Sequence, residues 1–218
     1  MRGRKEKRHV MESKKKAEFF NPAVTADVIV IRNTRDAEAK GGVKREVLLI
    51  RRGEEPDKGK WAFPGGHMDG RDGSVEEAAV RELKEETGIA ARFLRPVGVL
   101  SQQSRMDKPC ICHVFCYSFW AHEVNVKPRA ADDARDATWF VVETEFKPKP
   151  NELKVRLTGE NGMVIEFTAK FKFTRWGVAE TEVEWESGEM DRLAFDHATM
   201  LARSFMQTPG FVNIGVGE

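Results

Sequence analysis

The sequence predicts an α/β sandwich with a mixed sheet, extended by an inserted antiparallel β-meander that precedes a C-terminal helix. Three observations predict it. Short β-branched and apolar runs flank one acidic, helix-periodic stretch at residues 74–88. Residues 150–186 alternate apolar and polar side chains through two turn signals, the period of a half-buried strand. A last stretch, Arg192–Met206, reads as a helix.

In chain order, Val24–Ile31 (VTADVIVI) is a β-branched run and predicts a strand. Asn33–Gly42 is polar and contains Gly-Gly, which predicts a loop. Glu46–Ile50 carries the short apolar run Val47–Ile50, a second strand. Arg51–Lys60 is a charged loop with Pro56 and Gly59, and Trp61-Ala62-Phe63 leads into the turn signal Pro64-Gly65-Gly66. Ser74 stands as N-cap, with Glu77 at the capping-box position and Gly88 at the C-terminal end of the helix. Val75, Ala79 and Leu83 form its apolar stripe. Arg92–Leu100, Ile111–Trp120 and Thr138–Val142 are further strands.

Within the meander, Leu153, Val155 and Leu157 alternate with polar residues, then Gly159-Glu160-Asn161-Gly162 supplies a hairpin turn. Ile165, Phe167, Ala169, Phe171 and Phe173 alternate again, Arg175-Trp176-Gly177 reads as a second turn, and Ala179, Thr181, Val183 and Trp185 continue the period. One face of this unit is apolar and must be covered, by the main domain or by another subunit. The meander is accordingly expected to act as a sheet extension or a dimer arm.

The 218 residues suffice for one well-buried domain, assigned here to 21–218 with 150–186 as the insertion. A net charge of +1 provides no overall field to attract nucleic acid, so a nucleic-acid partner is not expected. Residues 1–16 do hold eight Lys and Arg against two Glu, and residues 1–20 are expected to form a basic, disordered tail. No apolar run reaches the length of a membrane span, and no apolar segment of the secretory type follows the basic residues. Cys110, Cys112 and Cys116 are an odd set within seven residues, which argues against a disulfide framework and for a reducing, cytoplasmic setting. Cys110-Ile111-Cys112-His113 has the wrong spacing for a zinc knuckle, and no second Cys/His cluster follows.

The chemistry concentrates in Gly65–Ile89. On a helix, Glu82, Glu85 and Glu86 fall at i, i+3 and i+4 and project their carboxylates from one face. Three like charges so close repel, and a divalent cation removes the conflict. Hard oxygen donors at this spacing suit Mg²⁺ or Mn²⁺, completed by waters and substrate phosphates. Arg81, next to the set, is expected to orient one of its carboxylates. Gly65 and Gly66 let the backbone approach closely where a side chain would block it.

This segment resembles the signature of the Nudix hydrolases, which cleave a nucleoside diphosphate linked to another group. Arg81-Glu82-Leu83-Lys84-Glu85-Glu86-Thr87-Gly88-Ile89 matches the second half of the family pattern at every fixed position. The first half departs: Gly66 followed by five residues reaches Asp72 in place of the usual Glu, and eight rather than seven residues separate it from Arg81. Either one residue is inserted and Asp72 stands in for the Glu, or that Glu is lost. The resemblance implies a Nudix-type α/β/α sandwich, a Mg²⁺ site on Glu82, Glu85 and Glu86 with the Gly66 carbonyl as a further ligand, catalysis by Glu82, Glu85, Glu86 and Arg81, and a homodimer. The general base stays open between Glu86 and Glu82, with Glu123 as a loop alternative.

Outside the signature, Leu48–Gly53, Gly59–Gly66, Asp132-Asp133-Ala134 before Trp139-Phe140, and Leu193–His197 are similar to the ADP-ribose pyrophosphatase branch. Ser101–Asp107 resembles its substrate loop, which implies Arg105 and Asp107 as substrate contacts, although Met106 separates them. The implied reaction is Mg²⁺-dependent hydrolysis of ADP-ribose to AMP and ribose 5-phosphate. The alternatives are another nucleotide sugar, an oxidised nucleoside triphosphate, or a non-enzymatic sensor that regulates transcription. Arg51 and Arg52 suit a substrate with two phosphates, one at most contributing because they alternate on a strand. Trp61 and Phe63 are candidates for stacking on adenine or for the core, Phe63 being taken as the substrate contact. His197 reads as a structural histidine beside Phe195.

Overall fold

Continuous apolar runs, rather than alternating ones, mark strands buried on both faces, and the first strand is the clearest case. The computed structural model describes residues 22–39, 42–92, 94–103, 111–120, 127–174, 177–188 and 192–207. Its elements in chain order are β1 (Ala23–Arg35), β2 (Val43–Arg52), β3 (Trp61–Ala62), β4 (Gly65–His67), α1 (Val75–Thr87), β5 (Arg95–Gln103), β6 (Ile111–Trp120), β7 (Ala134–Lys147), β8 (Glu152–Gly159), β9 (Val164–Thr174), β10 (Gly177–Trp185) and α2 (His197–Gln207). All the strands belong to one mixed sheet in the order β10-β9-β8-β7-β2-β1-β6-β5, with β3 added to β2 and β4 to β1. β1 is central: it runs antiparallel to β2 and parallel to β6.

The two faces of β1 supply two cores. Ala26, Val28 and Val30 pack with Leu48, Ala78, Ala79 and Leu83 beneath α1. Ile29 and Ile31 point the other way and join Leu49, Val114, Leu201 and Phe205 beneath α2. A helix therefore covers each face of the sheet, which is the α/β/α sandwich the sequence predicts.

The meander extends this same sheet. β7 is 14 residues long, far longer than the predicted Thr138–Val142. Its first half pairs with β2 and its second half overhangs to pair with β8, from Phe140 opposite Gly159 to Lys147 opposite Glu152. The apolar face of β8 and β9 (Leu153, Val155, Leu157, Ile165, Phe167, Ala169, Phe171) is buried in the core that holds α2. The chain thus covers its own meander, so this face gives no support to the expected dimer arm. The hairpin turn closes as the Asn-Gly signal predicts: Gly162 adopts φ 78°, and the Gly159 N–H donates to the Met163 carbonyl at 2.9 Å.

Other boundaries also differ from the sequence reading, β5 among them, which runs from Arg95 to Gln103. β1 continues through Asn33 and Thr34, because their backbone still pairs with Arg45 and Lys44 in the hairpin with β2. Arg51 and Arg52 belong to β2, not to the following loop. α2 begins at His197 rather than Arg192, because Leu193 bridges to Trp61, the Ala194 N–H donates to the Trp61 carbonyl at 2.7 Å, and Phe195-Asp196 form a turn. The tail 1–20, Cys110 and the Arg175-Trp176 turn lie outside the described residues. Cys116 is buried in the α2-side core.

Candidate active site

The acidic helix is held at both ends by its own sequence. Ser74 is extended and its hydroxyl accepts the Glu77 N–H at 3.2 Å. The Glu77 carboxylate reaches one residue past the usual capping-box partner and accepts the Gly73 N–H at 2.8 Å. At the other end Gly88 takes φ 74°, and its N–H closes on the Lys84 carbonyl. α1 is thereby fixed against β4 and the 67–73 loop. β4 is set in turn by pairing with β1, Gly66 opposite Ala26 and Gly65 opposite Asp27.

Arg81 is the hub of the site. Its Nε and Nη2 grip the two oxygens of Asp72, each at 2.9 Å. Its Nη1 donates to Glu82 Oε1 at 2.7 Å and to Glu85 Oε2 at 3.0 Å, and Nη2 also donates to the His67 carbonyl at 3.0 Å. One planar guanidinium so joins the helix, β4 and the loop, a task its forked donors suit and a lysine could not perform. The Arg81 guanidinium, with the Asp69 N–H, holds the Asp72 carboxyl down to about 2. Asp72, one position displaced from the family's Glu, sits where it orients Arg81.

Glu86 is different. It is 5% exposed, and its Oε2 accepts the Gly65 N–H at 2.8 Å. Burial pushes its carboxyl up to about 8; the Gly65 N–H opposes this, and the negative charges of Glu82 and Asp27 add to it. Glu82 is also shifted upward, first by burial, against the pull of Arg81. The glycines are required by proximity. A Cβ on Gly66 would lie 2.5 Å from Glu82 Cδ, and one on Gly65 would lie 2.3 Å from the Ala26 carbonyl oxygen.

These groups line a cavity of about 520 Å³, within the size range of small-ligand sites. Nine carboxylates and three guanidiniums line it among the described residues. That surplus of hard anionic oxygens fits a divalent cation such as Mg²⁺. The carboxylates are turned to separate partners, Glu82 and Glu85 to Arg81 and Glu86 to Gly65, and among the described residues no three acidic, histidine or cysteine side chains converge on one metal position. Rotation of Glu82 and Glu85 away from Arg81 would free their oxygens for a cation.

Of the residues singled out by sequence, Gly66, Arg81, Glu82, Glu85, Glu86 and Arg52 line the cavity. Arg52 donates to the Pro56 carbonyl at 2.9 Å and lies 4.8 Å over the Phe195 ring. Arg51 points away from the cavity, is exposed, and donates to the Gly59 carbonyl, the alternation of β2 having separated the pair. Phe63 is a correction. It is 2% exposed, packs in the α2-side core and lies outside the cavity wall, so no base can stack on it. Trp61 is a core residue edge-on to Phe140. Arg105, Asp107 and Glu123 lie outside the described residues.

The structure brings in residues that sequence reasoning did not place in the site: Asp27, Asp132, Asp133, Phe195 and His197. They come from β1, the segment before β7 and the approach to α2, and only folding makes them neighbours. A signal did exist for one. Asp27 is the single charge in the apolar run VTADVIVI, and a charge in a buried strand calls for a partner or a function.

Comparison with known proteins agrees with the motif. The NUDIX domain family matches residues 22–157. An ADP-ribose pyrophosphatase of Methanocaldococcus jannaschii is 34% identical over 122 residues, 56% of this chain and 63% of that protein. The ADPR responsive transcriptional repressor NtrR of Acinetobacter baylyi is 30% identical over 91 residues, 41% of this chain and 34% of that protein. The chain thus spans less than two thirds of either relative. The crystal structure of a MutT/nudix family protein from Enterococcus faecalis shares the fold, with a TM-score of 0.64 and 24% identity over 88% of this chain and 64% of that one. With the family match covering well over half of its length and the Arg81 hub formed in the fold, the chain belongs to the Nudix family.

Proposed function

We propose that the chain is a Mg²⁺-dependent pyrophosphohydrolase that cleaves ADP-ribose to AMP and ribose 5-phosphate. The observation that carries this reading is the Arg81 network, which joins Asp72, Glu82 and Glu85 at the wall of a ligand-sized cavity. The similarity to an ADP-ribose pyrophosphatase supports the choice of substrate.

In this reading a water attacks one phosphorus of the diphosphate, a P–O bond breaks, and one phosphate leaves with each product. A cation held by Glu82, Glu85, Glu86 and the Gly66 carbonyl would screen the phosphate charge and lower the pKa of a bound water. The protein supplies the rest. Arg81 keeps Glu82 and Glu85 oriented, and the Gly65 N–H keeps Glu86 in place. Arg52, at the cavity wall, is the cation best placed for a diphosphate oxygen. Glu86 and Glu82 remain the first candidates for general base, with Glu123 as the loop alternative. The sensor alternative foresees a DNA-reading unit after the Nudix domain, whereas the described residues after β7 are three strands and a helix buried against them.

The test is product analysis by mass spectrometry with Mg²⁺, on a panel of ADP-ribose, NADH, nucleotide sugars, diadenosine polyphosphates and oxidised dGTP, beside Glu85→Gln and Glu86→Gln. AMP and ribose 5-phosphate from ADP-ribose, lost in both variants, are the expected result. Preference for another panel member overturns the substrate, and no turnover of any member overturns the enzyme reading.

A further inference from the structure

His197 sits at the start of α2, 131 positions beyond Gly66 in numbering, yet both line the same cavity. It is 3% exposed and yet reaches the cavity wall. Its Nδ1 accepts the Phe63 N–H at 2.9 Å, and its ring stacks on Phe63 with centroids 4.9 Å apart and planes 14° apart. A nitrogen that accepts an N–H carries no proton, so the ring is neutral and its proton is on Nε2. Nε2 faces Asp27 Oδ2 at 3.4 Å.

These two partners flank the Gly65–Gly66 backbone on both sides. Phe63 precedes it in the chain. Asp27 lies opposite Gly65 in the β1–β4 pairing, so close that a Cβ on Gly65 would lie 2.4 Å from Asp27 Oδ1. The Pro64 carbonyl between them accepts the Val28 N–H at 2.9 Å. The Gly65 N–H holds Glu86, and Gly66 lies against the Glu82 carboxylate.

We infer that His197 is a positioning residue for this glycine turn: by clamping Phe63 and Asp27 together, the C-terminal helix sets the backbone against which Glu82 and Glu86 are aligned. The inference rests on the reading of Gly66, Glu82 and Glu86 as a cation-binding site. It makes the segment after the meander part of the active site as well as a cover for the core. The chain reaches the site this way because Leu193 and Ala194 run along Trp61 and deliver His197 to Phe63, two residues further on.

His197→Phe keeps the stacked ring and removes both polar contacts. His197→Asn keeps an acceptor near the place of Nδ1. Three readouts apply to the full chain: hydrogen exchange of segment 61–69 without metal, Mn²⁺ affinity without substrate, and kcat against KM. H197F is expected to exchange faster at the Gly65 amide, bind Mn²⁺ about tenfold or more weakly, and lose kcat rather than KM, the scale seen when an outer partner of a metal ligand is lost. H197N is expected to recover most of each. The inference is overturned if folded H197F stays within about twofold of wild type in exchange and Mn²⁺ affinity, or if H197N falls as far as H197F. Should H197F not fold, H197Q decides by the same readouts, since it keeps a donor toward Asp27 and gives up the acceptor for Phe63. Absence of turnover in the wild type removes the proposed function, while exchange and Mn²⁺ binding still decide the role of His197.

Discussion

Arg81 holds Asp72 by two parallel hydrogen bonds of 2.9 Å, Nε to Oδ1 and Nη2 to Oδ2. This bidentate pair gives the departure from the family pattern a physical meaning. The loop carries one more residue than the pattern, the side chain is one methylene shorter, and the two changes together leave a carboxylate on the guanidinium.

Removing that carboxylate frees Arg81 to pair fully with Glu82 and Glu85. Asp72→Ala is therefore expected to lower kcat about 10- to 100-fold, as loss of an outer partner of a metal ligand does, with Asp72→Asn close behind. Steady-state kinetics on the preferred substrate check this, and a D72A rate near wild type would show that Arg81 needs no such anchor. Because the Asp72 carboxyl is lowered, its contribution is present above its ordinary value of 3.8 and is lost only as pH falls toward about 2. No acid limb of the rate profile at working pH should belong to it.

Glu86 has the opposite sign. Its carboxyl is raised from 4.5 to about 8, so the folded chain binds a proton that the unfolded chain has given up. The stability from this group is full below about 4.5 and is lost as pH rises through about 8. In chelator, the melting temperature of the wild type should fall more between pH 5 and pH 8 than that of Glu86→Gln, which cannot titrate there. Equal slopes for the two proteins would contradict the burial argument. Saturating Mg²⁺ is expected to flatten the wild-type slope, since cation binding replaces the proton.

Gly66→Ala tests the close approach of backbone to helix. The new methyl would meet the Glu82 carboxylate at 2.5 Å. The fold has room to survive, because Glu82 can rotate, but its carboxylate cannot stay where Arg81 holds it. Mn²⁺ affinity is expected to drop at least about tenfold with little change in circular dichroism. Retained affinity would mean that Glu82 binds no cation.

Phe167 is fully buried in the core shared by the meander and α2. Phe167→Ala should cost about 3–5 kcal/mol in urea unfolding. Because α2 carries His197 into the site, loss of Mn²⁺ binding and loss of tryptophan fluorescence should occur at one urea concentration. A separate, earlier transition for the meander would show that it is not part of this core.

Sequence alone determined the local structure and the charged centre of the site. A β-branched run marked β1 as a strand, Ser74 and Gly88 bounded α1, and the Asn-Gly pair set the β8–β9 turn. The spacing of Glu82, Glu85 and Glu86 put three carboxylates in one cavity, because helical periodicity is a local property of the chain. It could also say that only one of Arg51 and Arg52 would face the site, since a strand alternates its sides.

Only the tertiary structure decided which one, and what else joins them. Arg52 rather than Arg51 faces the cavity because of how β2 lies between β1 and β7. Phe63 went to the core because the α2 side of the sheet is closed by the helix that carries His197. The apolar meander needs no second subunit because β7 overhangs β2 and α2 folds back across it. Asp27, Asp132 and the Phe195–His197 pair are far apart in the chain and meet only across the sheet. No local periodicity encodes such meetings. They depend on strand order and register, which hydrogen bonds between distant segments set once the two apolar faces of the sheet are buried.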